Sequence, residues 1–285
     1  NPPLIDPFHN RETLTAQEVV SYEDRLAQDL GWGLNEAGKI FEGRSEVQKT
    51  MRKIAESLTI LSIDYAIVGG MALFAHGFRR FTEDVDVLVT DEGLKNLHRQ
   101  LEGRGYLPPF ERSKNLRDTD NGVKIEFLVT GKYPGDGKPK PVAFPNPADV
   151  AQDLDGIRYV NLETLVELKL ASGMTNRDRL KDLSDIQQLI KIANLSRDYA
   201  DGLNPYVRDK FIELWNAIHA VPIRYVFIWS KTNSDVNTLQ EMLAAGVVVE
   251  TRDGLADGKK YLVTTDPDVA RKYNMHDENE FMDRD

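Results

Sequence analysis

A segment with a two-residue period runs from Arg80 to Val89 and predicts a β-strand with one charged face and one apolar face. The charged face carries Arg80, Thr82, Asp84 and Asp86, and the opposite face carries Val85, Val87 and Val89. Two carboxylates at alternate positions of a strand lie about 6–7 Å apart. Their oxygens can therefore converge on one or two hard cations such as Mg²⁺. An isolated Asp-x-Asp pair is also typical of a solvated strand face, so the neighbouring segments decide between the two interpretations.

A pair of glycines, Gly69 and Gly70, follows a short apolar strand predicted over Asp64 to Val68. A helical turn is predicted from Met71 to His76. The missing Cβ atoms would let backbone N–H groups approach a phosphate beside the start of a helix. Gly-Gly alone is also typical of an ordinary turn. The interval of fourteen residues to the first aspartate (84 − 70 = 14) nevertheless fits one strand–turn–helix–strand unit.

A third carboxylate lies on a second predicted strand, Lys124 to Val129, which follows a predicted turn. Glu126 alternates there with Ile125 and Phe127, so its side chain points away from the apolar face. If this strand pairs beside the first one, Glu126 joins the two aspartates. Considered alone, Glu126 is more typical of an exposed strand position.

Two later helices bring complementary charges. Lys169 continues an apolar stripe formed by Leu162, Leu165 and Val166, so its ammonium must either extend to solvent or meet an anion in a cleft. Three acids share one face of the next helix, with four cations available to face them. These residues are Asp178, Asp182 and Asp185, with Lys169, Arg177, Arg179 and Lys181. The alternative is a charged helix in solvent.

The combined pattern Gly-Gly-x-Ala, His-Gly and Arg-x-Thr-x-Asp-x-Asp, from residue 69 to residue 86, resembles the DNA polymerase β-type nucleotidyltransferase superfamily. Within it, the pattern is most similar to the AbiEii-like group, which is related to type IV toxin–antitoxin toxins and to minimal nucleotidyltransferases. The resemblance covers about Ser45 to Ile192 and includes the segments around Lys169 and Arg179–Asp185.

The resemblance implies roles for individual residues. Gly69 and Gly70 would contact the triphosphate, and Asp84 and Asp86 would hold two Mg²⁺ (or Mn²⁺), with Glu126 as the third acid. Catalytic or nucleotide-binding roles would further fall to Lys169, which binds the triphosphate, and to Lys181 and Asp182, which shape the nucleotide site. Arg80 would add positive charge around the phosphates together with Lys169, and Thr82 would orient the metal site.

The expected activity is Mg²⁺-dependent transfer of a nucleoside monophosphate from an NTP to a hydroxyl. The acceptor would be RNA, for example a tRNA 3′ end, or a protein. The chain could be the toxin-like component of a toxin–antitoxin system with an antitoxin partner. The alternative is a non-catalytic nucleotide-binding regulatory or interaction module on the same fold.

The expected fold class is α+β, a nucleotidyltransferase fold with a small mixed sheet and flanking helices. We predict an N-terminal extension (1–44) with one helix, a catalytic core (45–147), a helical region that completes the nucleotide site (148–221), and a small α/β module with an acidic tail (222–285). The other predicted helices are Ser45–Ser62, Asp91–Arg104, Leu162–Ser172, Arg179–Ala193, Pro205–His219 and Val236–Ala245. The remaining predicted strands are Arg224–Trp229, Val247–Thr251 and Lys260–Thr264, and residues 130–147 are predicted to be a loop.

Composition limits the partners. The 285 residues include 36 Lys plus Arg and 46 Asp plus Glu, a net charge of −10, which disfavours non-specific binding to a polyanion. A modest cationic patch for RNA is predicted from His76, Arg79, Arg80, Lys132, Lys138 and Lys140. The absence of cysteine excludes disulfides and thiolate zinc sites. No apolar run approaches the roughly 18–20 residues of a membrane span, and the first residues lack signal-peptide features, so a cytoplasmic location without membrane contact is expected.

Overall fold

The computed structural model describes residues 19–220, 222–231, 234–251 and 255–278. They form two compact units, the first up to Ile218 and the second from His219 onwards. The predicted subdivisions after residues 44, 147 and 221 stay predictions. None of the helices in these ranges has the length and apolar character that a membrane span requires.

The first unit is a mixed sheet with helices on both faces. Its helices are α1 (Tyr22–Gln28), α2 (Leu30–Phe41), α3 (Glu46–Ile60), α4 (Gly69–Ala75), α5 (Asp91–Leu101), α6 (Pro147–Val150), α7 (Leu162–Thr175), α8 (Leu180–Ile192) and α9 (Pro205–His219). Its strands are β1 (Tyr65–Ile67), β2 (Asp84–Val89), β3 (Tyr106–Leu107), β4 (Leu116–Asp118), β5 (Lys124–Val129), β6 (Ala151–Leu154) and β7 (Ile157–Val160). The strand order is β3-β4-β5-β2-β1-β7-β6, with β2/β5 and β1/β7 parallel and the other pairs antiparallel. The predicted α+β class with a mixed sheet and flanking helices is confirmed.

The sheet separates two apolar cores. One core lies between the sheet and α3, where Ile54 and Leu58 pack with Val85 and Val87 of β2. The other core lies on the opposite face, where Leu88 of β2 packs with residues of α4, α7, α8 and α9. Because side chains alternate along a strand, Leu88 points to the same side as the two aspartates that precede it on β2. The helical half of the unit therefore covers the acidic face of this strand.

The N-terminus of α3 is specified by its sequence. The Ser45 hydroxyl accepts a hydrogen bond from the Gln48 N–H, and the Gln48 side chain accepts one from the Ser45 N–H, which together form a capping box. The predicted start of this helix is confirmed. Before it, the structure has two helices where one was predicted. Asp29 ends α1 and caps α2 by accepting a hydrogen bond from the Trp32 N–H.

Strand β2 begins at Asp84, four residues later than its sequence period predicts. In the ladders, Asp84 lies opposite Lys124, the first residue of β5, and β1 has already ended opposite Val87. Among the described ranges, residues 80–83 therefore have no neighbouring strand with which to pair. The helix predicted from Met71 begins at Gly69.

Strands β6 and β7 form a hairpin at the start of the region predicted to be helical. Asp155 and Gly156 connect these strands with φ angles of +53° and +80°. An Asp-Gly turn with positive φ at both positions is the type I′ hairpin connection. The sequence signal was therefore present, and the region contributes two strands before its helices.

The second unit has an antiparallel sheet in the order β11-β8-β10-β9. Its elements are β8 (Tyr225–Ser230), α10 (Val236–Ala244), β9 (Val248–Glu250), β10 (Lys259–Thr264), α11 (Pro267–Lys272) and β11 (His276–Asp277). The predicted solvated tail from Thr264 is wrong as far as residue 278, since Ala270 and Met275 are buried. The reason is local: Asp266 caps α11, which has Pro267 in its first turn. The final residues, 279–285, lie outside the described ranges.

Candidate active site

Three carboxylates lie together on one face of the sheet. Asp84 and Asp86 belong to β2, and Glu126 lies opposite Asp86 in the parallel ladder with β5. One oxygen from each carboxylate lies within 4.8 Å of the others, and all three residues are half-buried. The predicted pairing of the two strands therefore brings Glu126 beside the aspartates.

This cluster carries more negative charge than its surroundings neutralise. Burial, together with repulsion from Asp84 and Glu126, raises the pKa of Asp86 to about 7, although Lys169 and Arg179 act in the opposite direction. Lys124, on the same strand as Glu126, forms an ion pair with it. Three converging carboxylate oxygens are the donor set that Mg²⁺ or Mn²⁺ prefers. The chemistry of the cluster thus fits a divalent cation.

The glycine turn makes room for the acidic strand. Gly69 has φ +56°, and a Cβ on it would lie 1.7 Å from Oδ2 of Asp86. A Cβ on Gly70 would lie 2.6 Å from the Thr82 hydroxyl oxygen. That hydroxyl donates to Oδ1 of Asp84 at 3.1 Å, as expected of a residue that orients this carboxylate. The missing side chains thus accommodate Asp86 and Thr82, which the sequence alone did not indicate.

Lys169 is a buried cation, 6% exposed, held between α7 and α8. Its Nζ donates to Oδ1 of Asp182 at 2.8 Å and to Oδ2 of Asp185 at 2.7 Å. The hydroxyl of Ser172, one turn further along α7, donates to Oδ2 of Asp182 at 2.7 Å. Burial opposes ionisation of Asp182, but attraction to Lys169 and the hydrogen bonds from Lys169 and Ser172 lower its pKa overall. The Lys169 ammonium therefore meets anions in a cleft and does not extend to solvent.

Arg80 joins the same network from the segment before β2. Its Nη2 donates to Oδ2 of Asp185 at 3.0 Å, and its Nε lies 2.9 Å from Oδ1 of the same carboxylate. Asp185 therefore bridges Arg80 and Lys169. Because both cations face buried carboxylates, part of the positive charge expected from them is neutralised within the protein.

Two further cations line the cleft but are exposed to solvent, unlike Lys169. Arg179 and Lys181, at the start of α8, are exposed, and within the described part of the chain neither forms an ion pair. Their charges remain available to an anionic ligand. Arg179 and Ser172 were not among the predicted site residues. The position of Ser172, three residues after Lys169 on one helix, was the signal that could have identified it.

The cleft has a volume of about 190 Å³, and all the predicted site residues line it. They are Gly69, Gly70, Arg80, Thr82, Asp84, Asp86, Glu126, Lys169, Lys181 and Asp182. The rest of the lining includes apolar side chains, among them Leu128, Phe144, Leu165 and Leu168. Along α7 the lining changes from leucines to Lys169 and Ser172 over seven residues, or about 10 Å of helix. The lining of the cleft therefore combines charged and apolar side chains.

The cationic patch predicted for RNA is smaller than its sequence suggests. The Lys140 side chain is buried and paired with Asp136, so it is not available to a polyanion. The His76 ring lies 2.8 Å from the Val160 carbonyl oxygen. Arg79, Lys132 and Lys138 are exposed.

Comparison with the models of known protein families and with curated protein sequences finds no match. Among solved structures, an antigenic nucleotidyltransferase-like protein from Paracoccidioides brasiliensis is 20% identical, with a TM-score of 0.38 over 61% of this chain and 93% of that one. JHP933 from Helicobacter pylori is 20% identical, with a TM-score of 0.35 over 60% of this chain and 78% of that one. ANT(2″)-Ia in complex with adenylyl-2″-tobramycin is 12% identical, with a TM-score of 0.39 over 59% of this chain and 97% of that one. Similarity at this level assigns neither a family nor a substrate to this chain.

Proposed function

We propose that this chain is a metal-dependent nucleotidyltransferase, which transfers a nucleoside monophosphate from an NTP to a hydroxyl and releases pyrophosphate. The observation that carries the proposal is the convergence of Asp84, Asp86 and Glu126 within 4.8 Å at a cleft that also contains cations. A site that binds no cation has no use for three converging carboxylates, because their mutual repulsion is unfavourable. The proposal follows the motif resemblance and rests on these residues.

The residues divide into metal ligands and phosphate-binding groups. Asp84, Asp86 and Glu126 would hold Mg²⁺ or Mn²⁺, and Thr82 orients Asp84. Bound there, the metal would lower the pKa of the attacking hydroxyl and neutralise charge on the departing pyrophosphate. Arg179 and Lys181, which form no ion pair among the described residues, would bind the triphosphate. Lys169 and Arg80 would offer it the N–H donors that their ion pairs with Asp182 and Asp185 leave over.

In the reaction, the acceptor hydroxyl releases its proton to solvent as its oxygen forms a bond to the α-phosphorus of the NTP. The bond from this phosphorus to the oxygen that bridges to the β-phosphate breaks, and pyrophosphate leaves with that electron pair. Gly69 and Gly70 keep the α4 turn close to the acidic strand, where their backbone can face the phosphates. Asp182 keeps Lys169 in place beside the phosphates through its hydrogen bond to Nζ.

For the acceptor, we propose a hydroxyl of RNA, such as a tRNA 3′ end, or of a protein. With a net charge of −10 and a small exposed cationic patch, the chain would hold an RNA acceptor weakly and locally. A toxin-like role of the AbiEii-like kind, with an antitoxin partner, belongs to this proposal and is supported only by the motif resemblance.

The test is incubation of the protein with each of the four labelled NTPs, Mg²⁺ or Mn²⁺, and total RNA or lysate. A labelled RNA band or a labelled protein band identifies the acceptor class, and transfer should be lost in the double variant Asp84→Ala, Asp86→Ala with an unchanged circular dichroism spectrum. Transfer that persists in this variant would refute the site. Nucleotide binding without any transfer would instead favour the non-catalytic nucleotide-binding module.

A further inference from the structure

The loop between β5 and α6, residues 130–146, is attached to α7 at the edge of the cleft. Its residues Pro134 and Gly135 line the cleft beside Ser172. Gly135 has φ +73°, and a Cβ on it would lie 2.2 Å from the Thr175 hydroxyl oxygen and 2.8 Å from the Ser172 carbonyl oxygen. The loop thus approaches the helix more closely than any residue with a side chain would allow.

Lys140 makes this attachment through a buried ammonium group, whose side chain is only 5% exposed. Its Nζ donates to the Pro134 carbonyl oxygen at 2.5 Å, to Oδ1 of Asp136 at 2.5 Å and to the Thr175 hydroxyl oxygen at 3.1 Å. An ammonium has three N–H donors, so these acceptors use all of them. A buried ammonium without such partners would be strongly unfavourable.

Thr175 connects this attachment to the nucleotide side of α7. Its hydroxyl donates to the Ala171 carbonyl oxygen at 2.7 Å. Ser172, which donates to Asp182, lies one turn before Thr175. Two of the three partners of Lys140 therefore belong to the loop, and the third belongs to the helix turn that holds the Lys169–Asp182 pair in place.

We propose that Lys140 is a positioning residue, which holds Pro134 and Gly135 against α7 and so sets the width of the nucleotide cleft. The inference rests on the proposed function, because the ligand of the cleft is taken to be an NTP. The partners of Lys140 lie outside the carboxylate cluster. Loss of Lys140 should therefore weaken nucleotide binding and leave metal binding intact.

The test uses the variants Lys140→Met and Thr175→Val and the double variant that combines them. Lys138→Met serves as the control. Lys138 is an exposed lysine of the same loop that belongs to the patch predicted for RNA and not to the cleft lining, so its variant is the matched control for nucleotide and metal binding measured without RNA. The NTP that wild type binds most tightly is titrated into each protein in the presence of Mg²⁺, and its Kd is measured by calorimetry. The binding of Mn²⁺ to each protein is followed by electron paramagnetic resonance. We expect each single variant to raise the NTP Kd at least fivefold, and the double variant to raise it no further, because both substitutions break one connection. Lys138→Met should stay within twofold, as should Mn²⁺ affinity in every variant.

An unchanged NTP Kd in folded Lys140→Met, additive effects in the double variant, or parallel loss of Mn²⁺ binding would each overturn the assignment. If Lys140→Met fails to fold, Thr175→Val decides, since it keeps the side-chain volume and removes the hydroxyl that accepts from Lys140 and donates to Ala171. Wild type that binds Mn²⁺ but no NTP would refute the proposed function and this inference with it. Nucleotide binding that all variants share equally would refute only the role of Lys140.

Discussion

Gly69 and Asp86 occupy adjoining space, such that a Cβ on the glycine would lie 1.7 Å from Oδ2 of the carboxylate. The α4 turn and the acidic strand can therefore coexist only because the glycine has no side chain. Its φ of +56° adds a second, independent requirement.

Gly69→Ala should remove metal binding and destabilise the protein. The substitution combines a clash with a cost of about 1 kcal/mol or more for positive φ, and Asp86 must move to relieve the clash. Gly103→Ala is the matched control, because Gly103 has φ +76° and a Cβ on it would meet none of the described residues within 4 Å. Mn²⁺ titration should show loss of metal binding in Gly69→Ala alone. Chemical denaturation should show a larger loss of stability in Gly69→Ala than in Gly103→Ala. Equal effects in the two variants would contradict the steric explanation.

Asp86→Asn should stabilise the metal-free protein while abolishing transfer. In the folded state the pKa of Asp86 is raised to about 7, so folding favours the protonated carboxyl group. This group therefore contributes its full share to the free energy of unfolding below its ordinary pKa, and the share is lost as the pH rises through 7. Removing the charge should raise the free energy of unfolding by about 1–3 kcal/mol at pH 8 in EDTA. The gain should shrink at pH 5, where wild-type Asp86 is protonated. Denaturation of both proteins at the two pH values checks this, and a gain that is larger at pH 5 would contradict it.

Lys169→Met and Lys181→Met should separate stability from binding. The first substitution removes the ammonium between the buried carboxylates of Asp182 and Asp185, although Arg80 still pairs with Asp185. The free energy of unfolding should therefore fall by about 3–5 kcal/mol. The second removes an exposed charge and should change stability by about 0.5 kcal/mol or less. Its NTP affinity should nevertheless fall. Chemical denaturation and NTP titration of both variants test the contrast, which fails if Lys181→Met destabilises as much as Lys169→Met.

Phe144→Ala should weaken binding of an NTP more than binding of tripolyphosphate. Phe144 and Leu128 are apolar side chains of the cleft lining that can pack against a nucleobase, whereas the phosphates of both ligands would bind the cations. Loss of an aromatic ring that stacks on a base typically costs about 1–3 kcal/mol. Competition titrations with ATP and tripolyphosphate measure the difference, and Phe144→Leu keeps an apolar side chain as the control. Equal losses for the two ligands would place the nucleobase elsewhere.

The acidic strands were predictable because the information is local. The alternation around Asp84 and Asp86 and around Glu126 indicated both strands, and the predicted bounds of β5, Lys124–Val129, are those of the structure. The start of β2 was not predictable in this way, because it depends on where the neighbouring strands begin and end. Strand limits are set by partners, which a local period does not reveal.

The state of the cations depends on contacts between distant residues. Arg80 and Asp185 are 105 positions apart, and nothing in either segment indicates that they form an ion pair. The pattern on α7 and α8 suggested that Lys169 could face acids, but it did not distinguish the buried, paired Lys169 from the exposed Lys181. Only the packing of α7 against α8 decides which charge is buried.

The parallel pairing of β2 with β5 also has a consequence for folding kinetics. Asp86 and Glu126 are 40 residues apart (126 − 86 = 40), and the segment between them contains α5, β3 and β4. Parallel strands meet only after such a crossover has formed, which makes their contacts slow to appear. If the carboxylates come together after the rate-limiting step, a bound cation should slow unfolding and leave the refolding rate unchanged. The repulsion among these carboxylates in the native state would then not raise the barrier to folding.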